Sequence, residues 1–375
     1  EAWVKHLIPA PGEPGHETWV DDYQAWQTGG ASVWQTGTYD PDLNIMYWGT
    51  GNPSPQYDSE YRPGDNLYTE SVVAMDPDSG DILWHFQFTP NDPYDWDEVG
   101  ETQLIDIEVG GETRKIVTRA ARNGFVYGFD RANGELRNAI QYVDFENWTL
   151  GGIDQKTGLP MSYNPDTPVQ LYAPGTAGRR DGRLAVFCPA LGGGKNWQPA
   201  AYSGLTGLNY VPANEGCSAY HTTVGGVDHW KDKGNKMGAL ENRHPPGWRG
   251  RERAPGAVLP VPVSTGSVTG YDPATGQTVV KVSIDTRPTG MLATAGNLVF
   301  TGMATDLMAF NSTTLELLFT QSLGTGLSAP PMTYSYGGRQ YIAILAGSTV
   351  SGSVSRRIAR FANVVPTSIL AVFSL

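Results

Sequence analysis

Basic charge is scarce in this 375-residue chain: 26 Lys and Arg stand against 38 Asp and Glu, a formal net charge of −12. The cations are scattered apart from one short cluster, Trp248-Arg-Gly-Arg-Glu-Arg253, so no nucleic-acid partner is expected. No apolar run approaches the roughly 20 residues that span a bilayer. No basic segment followed by an apolar one marks a signal peptide. The sequence begins at Glu1 and is read as a mature or truncated product, or a piece of a longer one. Cysteine is nearly absent. Cys188 and Cys217 lie 29 residues apart, and composition leaves open a disulfide in an oxidising compartment or two buried thiols in the cytosol. There is no CxxCH, so no c-type haem is attached within this sequence. His221, His229 and His244 lack the spacing of metal ligands and are read as surface residues. Helical periodicity is weak throughout.

Turn formers and large aromatics are abundant, with 46 Gly, 27 Pro, 11 Trp and 18 Tyr. That mixture argues for many short strands with frequent turns and bulky side chains between them. A turn pattern recurs in Val73-Ala-Met-Asp76-Pro-Asp-Ser-Gly80-Asp-Ile-Leu-Trp84, in Tyr127-Gly-Phe-Asp130-Arg-Ala-Asn-Gly134-Glu-Leu136 and in Thr269-Gly-Tyr-Asp272-Pro-Ala-Thr-Gly276. A weaker copy is Met308-Ala-Phe-Asn311-Ser-Thr-Thr-Leu-Glu316. Each reads as a strand ending in Asp or Asn, a tight turn and a return strand. A second hairpin class links Tyr39-Asp-Pro-Asp-Leu-Asn44 to Tyr202-Ser-Gly-Leu-Thr-Gly-Leu-Asn209.

Two hairpins make a four-stranded unit, and repeated units of this kind make an all-β, β-propeller fold of roughly four to five blades. The turn positions 76, 130, 272 and 311 are 54, 142 and 39 residues apart. The long interval is expected to hold a blade plus irregular insertions, within about 141–265. The opening Glu1-Ala-Trp-Val-Lys5 resembles the second half of a turn whose Asp and Gly would lie upstream.

Chemistry concentrates in Thr89-Pro-Asn-Asp-Pro-Tyr-Asp-Trp-Asp97, which follows the Gly51-Asn-Pro-Ser-Pro55 turn. Carboxylates and an amide beside aromatic rings can hold a hard cation through oxygen while one carboxylate serves as a base. The competing explanation is an Asp/Pro-rich turn capping a strand. Gly192-Gly-Gly-Lys-Asn196 does not qualify as a phosphate loop, because it lacks the GxxxxGK[ST] spacing and a following helix.

Several motifs in one order resemble the quinoprotein alcohol dehydrogenases, pyrroloquinoline quinone (PQQ) enzymes of the methanol and ethanol dehydrogenase type. They are Pro9-Ala-Pro-Gly-Glu-Pro-Gly-His-Glu-Thr-Trp19, Trp48-Gly-Thr-Gly-Asn-Pro-Ser-Pro55, Arg62-Pro-Gly-Asp-Asn-Leu67, Asp92–Asp97, Arg122-Asn-Gly-Phe125, Cys188-Pro-Ala-Leu-Gly-Gly-Gly-Lys-Asn196-Trp197 and Gly337-Gly-Arg-Gln-Tyr-Ile342. The resemblance runs from residue 1 to about 347. It implies an eight-bladed propeller whose N-terminal blades are absent here, so that 1–375 is a partial quinoprotein propeller domain. It implies oxidation of an alcohol to an aldehyde by hydride transfer to PQQ, with Ca2+ or a lanthanide ion, a cytochrome c-type electron acceptor and a periplasmic location.

Carried over residue by residue, Trp34 resembles the indole stacked on the quinone, and Asn52 the amide ligand of the metal. Asp95 resembles the catalytic base, which also faces the metal. Asp97 stands where lanthanide-dependent members carry an extra carboxylate. Arg122 resembles the arginine that donates to the quinone oxygens. Ser32, Asn196 and Trp197 resemble further cofactor contacts, and the interval from Cys188 to Cys217 resembles a family disulfide. Each has a plainer alternative: a core Trp at 34, turn residues at 52 and 97, an exposed Arg at 122.

The family's Glu metal ligand, vicinal disulfide and several cofactor contacts would lie upstream of residue 1. Missing blades would leave strand edges and apolar faces open to self-association. A non-catalytic binding propeller, or an inactive fragment, is the alternative expectation.

Overall fold

The computed structural model describes residues 2–20, 23–180, 183–221, 265–347 and 368–374. The basic cluster at 248–253 and His229 and His244 lie outside them, as does the side chain of His221. The chain divides into two compact units, Glu1–Trp197 with Gly216–Val263 and Gln198–Glu215 with Ser264–Leu375. Among the described residues, no helix is long and apolar enough to cross a membrane.

In the first unit, β1 (Thr38–Asp40), β2 (Ile45–Gly49), β3 (Ser71–Met75) and β4 (Ile82–Gln87) form one antiparallel meander. A second is built from β5 (Gln103–Val109), β6 (Glu112–Ala120), β7 (Phe125–Asp130) and β8 (Leu136–Gln141). A two-stranded ladder joins β9 (Leu184–Phe187) to β12 (Ser218–His221). The second unit has the sheet β10 (Ala201–Ser203), β11 (Leu208–Glu215), β13 (Thr265–Asp272) and β14 (Gln277–Ile284). It continues with β15 (Met291–Thr294), β16 (Leu298–Met303), β17 (Asp306–Asn311) and β18 (Leu317–Ser322). Its last sheet is β19 (Met332–Tyr336), β20 (Arg339–Gly347) and β21 (Ser368–Ser374). Four-stranded meanders of this kind are propeller blades. The terminal stretch, beyond the span of the family resemblance, supplies the third strand of the last sheet.

The repeated turns have one cause. In each, the side chain of the Asp or Asn accepts from the backbone two residues on: Asp76 from Asp78 at 2.7 Å, Asp130 from Ala132 at 3.0 Å, Asp272 from Ala274 and Asn311 from Thr313 at 2.8 Å. This Asx bond pre-forms the turn. Four residues on, the chain needs a left-handed φ, 78° at Gly80, 74° at Gly134 and 69° at Gly276. Leu315 adopts φ 54° in the weaker copy, which explains why that copy lacks glycine yet keeps the hairpin.

Glycine serves a second purpose here. A Cβ on Gly80 would sit 2.5 Å from the Trp3 ring, and one on Gly134 would sit 2.6 Å from Trp84. Trp3 Nε1 donates to Pro77 O at 2.8 Å and Trp84 Nε1 to Arg131 O at 3.0 Å, each carbonyl being one residue past the turn Asp. In the second unit Tyr210 makes the same contact to Ser312 O at 2.5 Å. An aromatic from outside each sheet thus closes its turn, and the buried Trp84 and Tyr210 rings contribute about 2–3 kcal/mol each.

The long interval between Asp130 and Asp272 holds no further complete four-stranded sheet among the described residues. It contains the β9/β12 ladder, the β10/β11 hairpin and irregular chain with an unexpected copy of the turn, Asp154-Gln-Lys-Thr-Gly158. There Lys156 N donates to Asp154 Oδ1 at 2.7 Å, and Gly158 has φ 76°. The Asp-x-x-x-Gly spacing was visible, but no strand-like residues flank it. The core of the first unit is dominated by rings, with Tyr47, Tyr94, Trp96, Tyr127, Trp148 and Tyr172 fully buried.

Candidate functional site

Alternation builds the Asp92–Asp97 segment. Tyr94 and Trp96 are wholly buried and pack at a tilt of 32° with centroids 4.4 Å apart, with Trp96 edge-on to Trp148 at 5.3 Å. The alternating Asp95 and Asp97 are only partly buried. Asp92 is the staple: its two oxygens accept from Tyr94 N at 2.9 Å and Trp96 N at 3.1 Å. Burial raises its carboxyl to about 6, against the lowering effect of the Arg62 charge. Asp92 is therefore structural, and part of this carboxylate-rich motif is indeed a turn device.

Asp97 gathers the other candidates. Its Oδ1 accepts from Asn52 N at 2.8 Å, and its Oδ2 from Trp34 Nε1 at 3.2 Å and Arg122 Nη2 at 3.3 Å. The Arg122 guanidinium lies 6.0 Å from the Trp34 ring centroid, a cation–π distance. Arg122 Nη1 also donates to Asp95 O at 3.3 Å and Nη2 to Asn196 Oδ1 at 3.1 Å. Asn196 Oδ1 accepts as well from Trp197 N at 2.8 Å. Ser32 is adjacent through the backbone, since Gly51 N donates to Ser32 O and Ala31 N to Asn52 O, both at 3.0 Å. A Cβ on Gly51 would stand 2.7 Å from Asp97 Oδ1 and 2.9 Å from Ser32 Oγ, so only glycine lets these groups close up. Trp34, Ser32, Asn52, Asp95, Asp97, Arg122 and Asn196 thus come together. Trp197 joins through its backbone N–H.

Asp95 has φ 65°, the left-handed region that Asp tolerates better than most residues. Its Oδ2 accepts from Tyr57 Oη at 2.7 Å. Loss of solvation pushes its carboxyl up to about 7, against the lowering effects of the Tyr57 bond and the Arg122 charge. A cation held beside it would oppose that rise and keep the carboxyl ionised.

Sequence reasoning missed the scaffold behind these groups. Glu98, fully buried, accepts from Arg122 N at 2.6 Å and pairs with Arg119 at 3.1 Å. Removing one partner of such a buried pair costs about 3–5 kcal/mol. The glycine run Gly192–Gly194 exists for close approach: Gly194 N donates to Arg122 O at 2.9 Å, and a Cβ on Gly193 would lie 2.5 Å from Arg122 Cβ. Lys195 pairs with Glu101 at 2.8 Å. The glycine pattern was the visible signal, while Glu98, Tyr57 and Arg119 had none.

Cys188 and Cys217 form a disulfide with Cα atoms 4.3 Å apart. They flank the β9/β12 ladder one position beyond the Phe187↔Ser218 pair.

The donors fit a hard cation in kind. Asn52 Nδ2 is committed to Pro53 O at 2.8 Å, which leaves the amide oxygen as the ligating atom, and Asp95 and Asp97 add two carboxylates. Carboxylate oxygens have lone pairs beyond those used by the N–H donors. Ca2+ takes six to eight oxygens, so these three side chains are a partial shell. Among the described residues no three His, Cys, Asp or Glu come together as a metal site.

Blade-like sheets with an indole, a guanidinium, an amide and two carboxylates at one locus are what a propeller of the quinoprotein class would present. The chain belongs to the PQQ family of glucose, ethanol and alcohol dehydrogenases, whose β-propeller domain matches residues 1–146 and 167–342. It is similar to the quinoprotein alcohol dehydrogenase PedH of Pseudomonas putida, with 37% identity over 93% of this chain and 55% of the relative. A quinoprotein ethanol dehydrogenase of Pseudomonas putida is 36% identical over 90% of this chain and 52% of its own length. Among solved structures, the quinohemoprotein alcohol dehydrogenase ADHIIG of Pseudomonas putida superposes with a TM-score of 0.76 at 31% identity, covering 95% of this chain and 50% of that one. A europium-containing methanol dehydrogenase does so with a TM-score of 0.74 at 26% identity, covering 97% and 63%. The chain spans about half the length of the curated relatives it matches.

Proposed function

We propose that residues 1–375 form a partial quinoprotein propeller domain that contributes one side of a PQQ-dependent alcohol oxidation site. The observation that carries this is the convergence of Trp34, Asn52 and Arg122 on the Asp97 carboxylate, with Arg122 also bound to Asn196 Oδ1 and Asp95 O. Bound PQQ supplies the hydride acceptor, and the cation supplies Lewis-acid polarisation of the quinone carbonyl. Asp95 takes the proton of the alcohol hydroxyl on its carboxylate. Arg122 donates to the quinone oxygens, and its guanidinium, pinned by Asp97 and Asn196, is preorganised for negative charge there. Trp34 offers a half-exposed indole face for stacking. Ser32, Asn196 and Trp197 meet the cofactor's edge.

Asn52, Asp95 and Asp97 hold the cation. The second acid at Asp97 favours a trivalent lanthanide over Ca2+, because added negative charge near the ion benefits the higher valence more. The product is an aldehyde, electrons pass to a cytochrome c-type acceptor, and the location is the periplasm, which suits the disulfide. A purely scaffolding propeller has no need for these side chains to converge.

The test is dye-linked alcohol oxidation by the protein expressed with whatever sequence flanks this chain in its gene, reconstituted with PQQ and either Ca2+ or La3+. Activity that is higher with La3+, and that Asp95→Asn lowers by at least about 100-fold, is the expected outcome. Absence of oxidation with both ions would overturn the proposal.

A further inference from the structure

We propose that Tyr57 is a positioning residue for the base, its hydroxyl locking the Asp95 carboxylate plane so that the same oxygen meets the alcohol in every turnover. This rests on Asp95 being the base. The Tyr57 hydroxyl donates to Asp95 Oδ2 at 2.7 Å, the length of a strong charge-assisted O–H···O bond. Rotation of a carboxylate about its two side-chain bonds misdirects it, and a misdirected base loses rate without losing substrate.

The surroundings of Tyr57 are built to hold it still. Tyr57 is 1% exposed. Immediately before it, the carbonyls of Pro55 and Gln56 accept from the buried Arg62 guanidinium at 2.8 and 2.9 Å. Immediately after it, Asp58 pairs with Arg180 through bonds of 2.9 to 3.2 Å. The ring rests on Tyr220 at 5.5 Å. Tyr220 in turn donates to Pro93 O at 2.9 Å, two residues before Asp95, and accepts from Gly178 N at 3.0 Å. One aromatic pair therefore grips the Asp95 segment twice, once by its backbone and once by its carboxylate. Tyr220 lies on β12, three residues past Cys217, so the disulfide closes the ladder that carries it. Phenylalanine would fill the same ring space at position 57. What the hydroxyl adds is the bond to the carboxylate.

The test uses the PQQ-loaded protein with its flanking sequence and compares wild type, Tyr57→Phe, Asp95→Asn and the double variant. Tyr57→Phe is expected to lower kcat about 10- to 100-fold with KM changed less than about twofold. Terbium binding to the cofactor-free protein, read by sensitised luminescence, should weaken by about 10- to 100-fold, since the hydroxyl orients a carboxylate that also holds the cation, so kcat is read at saturating cation. In the Asp95→Asn background, adding Tyr57→Phe should change kcat by less than about twofold, because the hydroxyl acts only through that carboxylate. A wild-type kcat in Tyr57→Phe beside a disabled Asp95→Asn sinks the positioning role alone, as does full additivity in the double variant. A wild-type rate in Asp95→Asn sinks the base assignment and this proposal with it.

Discussion

At the scale of single residues, loss of solvation raises the buried acids Asp92, Glu98 and Glu70 of the first unit. Glu70 is the extreme case. It is fully buried, both carboxylate oxygens have no hydrogen-bond partner among the described residues, and its φ is 54°. Burial raises its carboxyl well above the usual range, and the charges of Asp92, Glu98 and Asp97 add to that. A group with a raised folded value favours the folded state below the ordinary Glu range, and that advantage is lost as pH rises through the raised value. Glu70→Gln removes the proton from the balance. The variant should therefore gain melting temperature relative to wild type as pH goes from 5 to 8, by on the order of a few degrees. Thermal melts at the two pH values check this, and a difference independent of pH would contradict it.

At the scale of elements, sequence and structure agree where local chemistry decides. The Asx turns were legible because Asp and Gly perform separate backbone tasks at fixed spacing, and the hairpins at Asp76, Asp130, Asp272 and Asn311 follow from them. Asn52, Asp95 and Arg122 were legible only through their family motifs. Their convergence depends on side-chain contacts between segments about 25 to 45 residues apart, which no periodicity encodes. Tyr57 and Glu98 were invisible for the same reason: a Tyr or a Glu is surface or core until its partner is known. Turn glycine offers a direct check on the packing argument. Gly134→Ala meets both a left-handed φ of 74° and the Trp84 ring at 2.6 Å. It should cost about 2–4 kcal/mol, combining backbone strain with overpacking. Denaturant unfolding measures this, and Gly110→Ala, at φ 64° with no atom within 4 Å, isolates the strain component.

At the scale of the molecule, the second unit ends in a sheet with two unlike faces. Register puts Ile342, Ile344 and Ala346 on one, where they join a buried cluster with Phe300 and Leu307. The opposite face follows from the pairs Met332↔Ala343↔Val372 and Leu345↔Leu370. There Met332, Leu345, Leu370 and Val372 are exposed, Leu370 to 62%, beside the stacked Tyr334 and Tyr341. A contiguous apolar face of this kind drives association in water. In a blade, the pattern is that of a sheet with apolar side chains on both sides, which propeller packing uses in full. Residues 1–375 expressed alone should accordingly self-associate at micromolar concentration. Placing charge at the centre of the face with Leu345→Lys and Leu370→Lys together should restore a monomer while leaving the far-ultraviolet spectrum unchanged, since both side chains point away from the buried cluster. Light scattering after size exclusion reads the mass directly. A wild-type chain that remains monomeric at micromolar concentration would show that this face does not drive association.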